Sequence, residues 1–154
     1  MKIITGDLIQ LALSGKFDVI IHGCNCFCSM GAGIARQIRD TFPLAYEADL
    51  ETVSGDKKKL GSYSQATLKV GKKDLAIING YTQYHYSGSM VLADYAAIDC
   101  LFARVKMDFS GKTIGYPKIG AGLAGGDWKK ISDIINRHLV GENHTLVEYL
   151  GLQK

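Results

Sequence analysis

The chain alternates between short runs that are apolar almost throughout and longer stretches in which apolar residues recur every three or four positions. Residues 2–5 form a brief β-branched run, residues 7–13 carry helical spacing, and residues 18–22 (DVIIH) are nearly continuous in apolar character, with Gly23 beyond them. That order predicts strand, helix, strand. Residues 33–41 place Ile34, Ala35 and Ile38 on a helical stripe with Phe42 following. Pro43 then opens a second helix whose expected apolar residues are Ala45, Tyr46, Leu50 and Val53, and Ser54-Gly55-Asp56 ends it. Residues 62–70 alternate as a strand, 71–74 make a turn, and 75–78 form another apolar strand, so the pair reads as a hairpin. A helix over 95–107, a strand over 113–116, a helix over 128–139 capped by Asp127, and a strand over 146–149 complete the series.

Strands separated by helices, several of them apolar throughout, predict an α/β domain whose mixed or mostly parallel sheet is covered on both faces. At 154 residues the expectation is one domain over 1–154, with about two-thirds of the unfolded surface buried. The net charge of +3 is spread thinly. Its dense basic runs, Lys57-Lys58-Lys59, Lys72-Lys73 and Lys129-Lys130, flank turns or a helix start with no aromatics interleaved, so they read as solvated surface, and no nucleic acid is required as a partner. No run of 18 apolar residues occurs, and an acid at position seven interrupts any leader-like stretch, so a soluble, cytoplasmic protein without a membrane partner is expected. Cys24, Cys26 and Cys28 read as reduced thiols lining a loop, and Cys100 as core. With His22 they would crowd every ligand onto one short segment, so no metal site is expected.

In a sheet of this kind ligands sit beyond the carboxyl ends of the strands, which directs attention to the loops after His22 and Tyr116. Both are glycine-rich and both run directly into a helix: Met30-Gly31-Ala32-Gly33-Ile34, and Ile119-Gly120-Ala121-Gly122-Leu123-Ala124-Gly125-Gly126-Asp127-Trp128. Glycine lets backbone approach a ligand, and a helix start offers unpaired N–H groups with the positive end of a dipole. Two such loops can hold a diphosphate between them. Neither is read as matching G-x-G-x-x-G, and neither carries a P-loop lysine.

Gly6-Asp7-Leu8, His22-Gly23-Cys24-Asn25-Cys26, Met30-Gly31-Ala32-Gly33-Ile34-Ala35, and Ile119-Gly120-Ala121-Gly122-Leu123 followed by Trp128 together resemble the macro domain family, which binds ADP-ribose. The likeness runs in order along essentially the whole chain, and the HxCNC form followed by GxGIA is most similar to the yeast-type ADP-ribose 1''-phosphate phosphatases. It implies a three-layer α/β/α domain with a mixed sheet of about six strands. It also implies a small-molecule partner, ADP-ribose or ADP-ribose 1''-phosphate, and phosphate monoester hydrolysis giving ADP-ribose, with no cofactor; a monomer is expected. Carried onto matching positions, Asp7, with Leu8 beside it, accepts from the adenine amino group while also capping the first helix. Asn25 takes the distal ribose hydroxyls, and Tyr149 packs on adenine. Met30, Gly31, Ala32, Gly33 and Ile34 form one backbone cradle; Gly120, Ala121, Gly122 and Leu123 form the other. His22, with Asn25, is the expected catalytic pair, the imidazole acting as general acid/base or as phosphoryl acceptor. His85 reads as a surface-loop histidine and Asp127 as a helix cap.

MGAGIA also resembles macro domains that remove ADP-ribose from glutamate side chains or from DNA. Those depend on a lysine after the fourth-strand region and, in the protein-directed type, on an aspartate in the second loop. Here the corresponding positions read Ile78-Asn79-Gly80-Tyr81 and Ala124. A glycohydrolase acting on modified protein or nucleic acid therefore stands as an alternative, as does a non-catalytic ADP-ribose reader.

Overall fold

The computed structural model describes residues 1–88 and 90–150 and builds six strands into one sheet: β1 (Lys2–Thr5), β2 (Val19–Cys24), β3 (Tyr63–Val70), β4 (Lys73–Tyr81), β5 (Thr113–Tyr116) and β6 (Asn143–Glu148). Their order is β1-β6-β5-β2-β4-β3. Every pairing is parallel except the β3/β4 hairpin, where a two-residue connection permits the antiparallel return. The helices are α1 (Leu8–Leu13), α2 (Gly33–Thr41), α3 (Pro43–Leu50), α4 (Tyr95–Phe109) and α5 (Trp128–His138), with a single 3₁₀ turn at Lys57–Lys59.

The period-two pleat explains how one apolar strand serves two cores. Val19 and Ile21 of β2, with Ala76 and Ile78 of β4, pack with Ile98, Leu101 and Phe102 of α4 and Ile131 and Ile135 of α5. Ile20, Leu75 and Ile77 point the other way, towards Leu8 and Ala12 of α1, Ile38 of α2 and Ala45 of α3. This is the expected three-layer α/β/α arrangement with a mixed six-stranded sheet. Among the described residues no helix is long and apolar enough to cross a membrane.

The ladder between β2 and β5 pairs only Val19 with Ile114 and Ile20 with Gly115. On its other side β2 stays in register with β4 through Cys24, setting His22 opposite Asn79 and Gly23 opposite Gly80. Beyond Ile20, β2 and β5 are no longer paired, so a crevice opens at their carboxyl ends, where the two glycine loops emerge.

Four expectations need correcting. In α3 the buried residues are Ala45 and Asp49, not Leu50, which is 52% exposed, and Val53 lies past the helix end, also exposed. Lys59 is 8% exposed although Lys57 and Lys58 face solvent, because the 3₁₀ turn directs the third lysine inward. Cys100 is exposed, on the outer side of α4, while Cys24 and Cys26 are buried. Strand β6 begins at Asn143 and ends at Glu148, leaving Tyr149 just beyond it.

Candidate functional site

A cavity of about 770 Å³ occupies the crevice, within the size range that encloses a nucleotide-sized ligand. One wall is the exit from β2. Asn25 organises this turn: its Oδ1 accepts from the Phe27 N–H at 2.8 Å and its Nδ2 donates to Ser29 Oγ at 2.7 Å. Cys28 and Met30 follow with φ of 55° and 38°, left-handed conformations that bend the chain back towards α2. Helix α2 then starts at Gly33 with no side-chain cap from Ala32. Its first N–H groups are left for a ligand, at the end where the dipole favours negative charge.

The opposite wall is the loop after β5. Gly120 has φ of 74°, and the Gly126 N–H donates back to the Gly120 carbonyl at 2.7 Å. A Cβ at Gly126 would lie 2.5 Å from that carbonyl oxygen, so only glycine permits this closure. Gly120, Gly122 and Gly125 do have the G-x-G-x-x-G spacing, which corrects the motif reading above. The helix begins only at Trp128, however, and Asp127 caps it by accepting from the Lys129 N–H at 3.0 Å. The loop backbone, rather than the start of α5, therefore faces the ligand. The N–H groups of Gly31, Ala32, Gly122 and Leu123 have no hydrogen-bond partner among the described residues. All four residues lie on the cavity wall.

The end of β6 adds Val147, Glu148 and the exposed Tyr149, with Lys118 paired to Glu148 at 3.5 Å. The remaining wall holds Cys24, Asp49, Gln83 and Tyr86. Asp49 is 1% exposed. Its Oδ1 accepts from the Tyr81 hydroxyl at 2.7 Å, whereas its Oδ2 has no partner among the described residues. Burial is the largest influence on this carboxyl and raises it above the ordinary carboxylate range, against the opposing pull of the Tyr81 hydrogen bond and the Lys59 charge. Lys59 Nζ lies behind this wall, donating to the Cys26 carbonyl at 3.0 Å, 3.5 Å from Cys28 Sγ and over the Tyr81 ring.

His22 is fully buried and does not line the cavity. Asn79 gives both amide hydrogens away, to the Ala45 carbonyl and Ser64 Oγ, so its Oδ1 accepts from His22 Nε2–H at 2.7 Å. This fixes the neutral tautomer with a free lone pair on Nδ1. Burial pushes the imidazole down to about 4 despite that hydrogen bond. The Cys24 thiol lies 3.7 Å from His22 Nδ1, its residue lines the cavity, and it is itself pushed upward by burial.

Of the other residues expected at the site, Asn25, Met30, Gly31, Ala32, Gly33, Ile34, Gly120, Gly122, Leu123 and Tyr149 lie together on the cavity wall. Asp7, Leu8 and Ala121 do not: Asp7 Oδ1 accepts from the Ile9 and Gln10 N–H groups as the cap of α1, Leu8 is core, and Ala121 packs against the α4/α5 side. His85 is half-buried between Phe27 and Tyr86, off the wall. Asp49 was missed. Its only sequence signal is an acid four residues after Ala45, on the same helical stripe.

No protein-family model matches the chain. It is 36% identical over 146 residues to an uncharacterized 17.5 kDa protein of the tk-vs intergenic region of Enterobacteria phage T4, covering 90% of this chain and 89% of that one. Among solved structures it superposes on the macrodomain of Thermus aquaticus DarG with a TM-score of 0.69 at 19% identity, over 97% of each chain. Thermosipho africanus DarTG in complex with ADP-ribose gives a TM-score of 0.75 at 18% identity, over 99% of this chain and 42% of that one. The fold is that of a macrodomain.

Proposed function

We propose, for a chain that belongs to the same family as the phage T4 17.5 kDa protein and has the macrodomain fold, that the cavity binds ADP-ribose and that the protein hydrolyses ADP-ribose 1''-phosphate to ADP-ribose and phosphate. One observation carries the reading: unpartnered backbone N–H groups from two separate loops line a single cavity at the strands' carboxyl ends. A diphosphate presents several acceptor oxygens and negative charge, which these donors and the α2 dipole match without a cluster of cationic side chains. Thermosipho DarTG, part of which superposes on this chain, is solved in complex with ADP-ribose, which supports the choice of ligand.

In this reading adenine lies towards Tyr149 and the distal ribose towards Asn25, whose carboxamide is already oriented by Phe27 and Ser29. The reaction adds water to phosphorus and breaks the bond to the sugar oxygen, which must then take a proton. His22, neutral and enclosed, holds the end of β2 through Asn79, with the Cys24 thiol beside its ring.

The test is phosphate release from ADP-ribose 1''-phosphate alongside calorimetric binding of ADP-ribose. Release by the wild-type protein together with ADP-ribose binding supports the reading. Loss of ADP-ribose from a labelled modified protein or nucleic acid, with no phosphate release, replaces it by a glycohydrolase. Binding with neither activity replaces it by a reader.

A further inference from the structure

We infer that Asp49 is the proton donor to the leaving oxygen at the distal end of the cavity, the role that the enclosed His22 ring is not placed to fill. The inference rests on the hydrolytic reading above and deepens it by assigning this acid.

Asp49 belongs to the cavity wall with Cys24, Asn25 and Ser29. It is oriented from one side only: Tyr81 donates to Oδ1 at 2.7 Å, and Tyr81 is itself tied to Ser64 at 2.8 Å. Oδ2 is left with no partner among the described residues. An unpartnered buried carboxyl oxygen is costly, and such atoms are rare unless a ligand or water completes them. The backbone adds to the arrangement, because the Asp49 carbonyl accepts from Thr52 Oγ1 at 2.6 Å and from Cys28 Sγ at 3.1 Å, fixing the residue at the last turn of α3.

The surroundings favour the protonated acid. The last turn of a helix carries the negative end of its dipole, and burial dominates the upward displacement of this carboxyl. The groups that face it are Tyr81 from β4, Lys59 from the 3₁₀ turn, Cys24 from β2, and Cys26 and Cys28 from the following loop. Of these only Lys59 is cationic, and its ammonium is engaged by the Cys26 carbonyl and the Tyr81 ring. A carboxyl raised by burial holds its proton to higher pH than an exposed one, which suits it to general-acid work.

In the step, the oxygen of water bonds to phosphorus and the bond from phosphorus to the sugar oxygen breaks, its electron pair passing to that oxygen. The Asp49 Oδ2 proton moves to the sugar oxygen, and the proton shed by the water restores the carboxyl. Ester and water give sugar hydroxyl and phosphate, with no other reactant.

Asp49→Asn preserves the acceptor for Tyr81 and removes the acid. We expect at least a hundredfold fall in phosphate release from ADP-ribose 1''-phosphate, the scale of general-acid catalysis, with ADP-ribose affinity changed less than threefold. The wild-type rate falls as pH rises through the Asp49 titration, and the residual rate of the variant lacks that limb. Retention of the rate within threefold, or an unchanged alkaline limb in the variant, overturns the assignment while leaving the phosphatase reading intact. If the wild-type protein releases no phosphate, that reading fails, and the binding of intact ADP-ribose 1''-phosphate judges Asp49 separately. A donor at Oδ2 requires affinity to weaken as pH rises in the wild type and not in Asp49→Asn; identical pH dependence in both overturns it.

Discussion

His22 shows how a residue's surroundings reassign its chemistry. An imidazole two residues before a cysteine at a strand end reads as an acid/base group, yet its partner across the ladder is an asparagine whose donors are both spent elsewhere. The ring is held neutral, with its folded value near 4 against 6.5 when free. Between those pH values the unfolded chain binds the extra proton, so stability falls as pH drops from 6.5 towards 4. At 1.36 kcal/mol per pH unit, His22 contributes roughly 3 kcal/mol of that loss. His144, pushed down to about 4 chiefly by burial, adds to it in the same direction. Urea unfolding measured across this range is expected to show the decline, with a shallower slope in His22→Gln; an unchanged slope contradicts the burial-based account. Lys59 offers a second residue-scale contrast. Lys59→Ala removes the charged donor that the Cys26 carbonyl shares with the Gly55 N–H, and the ammonium over the Tyr81 ring, an expected loss of about 1–3 kcal/mol, whereas Lys57→Ala on the exposed side is expected within about 0.5 kcal/mol. Equal urea midpoints for the two variants would show that the buried ammonium is not holding the loop.

At the scale of elements, the two glycine loops were legible because glycine before a helix has a local physical meaning. The strands were legible because parallel strands covered on both faces must be apolar throughout. The phase of α3 was not. Its sequence PLAYEADL offers Leu50 as the obvious buried residue, but Asp49 turns inward because Tyr81 supplies a donor from a strand 32 residues away in sequence. Lys59 was hidden for the same reason: nothing local distinguishes it from Lys57 and Lys58, and its partners at Cys26 and Cys28 are contributed by a distant loop. The second glycine loop carries the element-scale prediction. Gly126→Ala drives a methyl against the Gly120 carbonyl, while a methyl at Gly122 meets nothing within 4 Å. Gly126→Ala is therefore expected to lower stability by about 1–3 kcal/mol and ADP-ribose affinity at least tenfold, equivalent to about 1.4 kcal/mol. Gly122→Ala is expected to leave the fold within about 0.5 kcal/mol. Unfolding curves and calorimetry on both variants check this, and equal effects would contradict the closure described for the loop.

For the whole molecule, the sheet order decides where a ligand can bind. β2 lies between β4 and β5, remains paired with β4 to its end and parts from β5 after Ile20, so the cavity forms where the central strands diverge. The first loop comes from the α1–α3 side and the second from the α4–α5 side, so the two layers each contribute one cradle. The central claim is that a diphosphate sits between them. A crystal structure of the protein with ADP-ribose tests it most directly: both phosphorus atoms are expected within hydrogen-bonding reach of the backbone N–H groups of residues 31–34 and 120–123. Phosphorus density outside those two loops, with the loops unoccupied, would contradict the account.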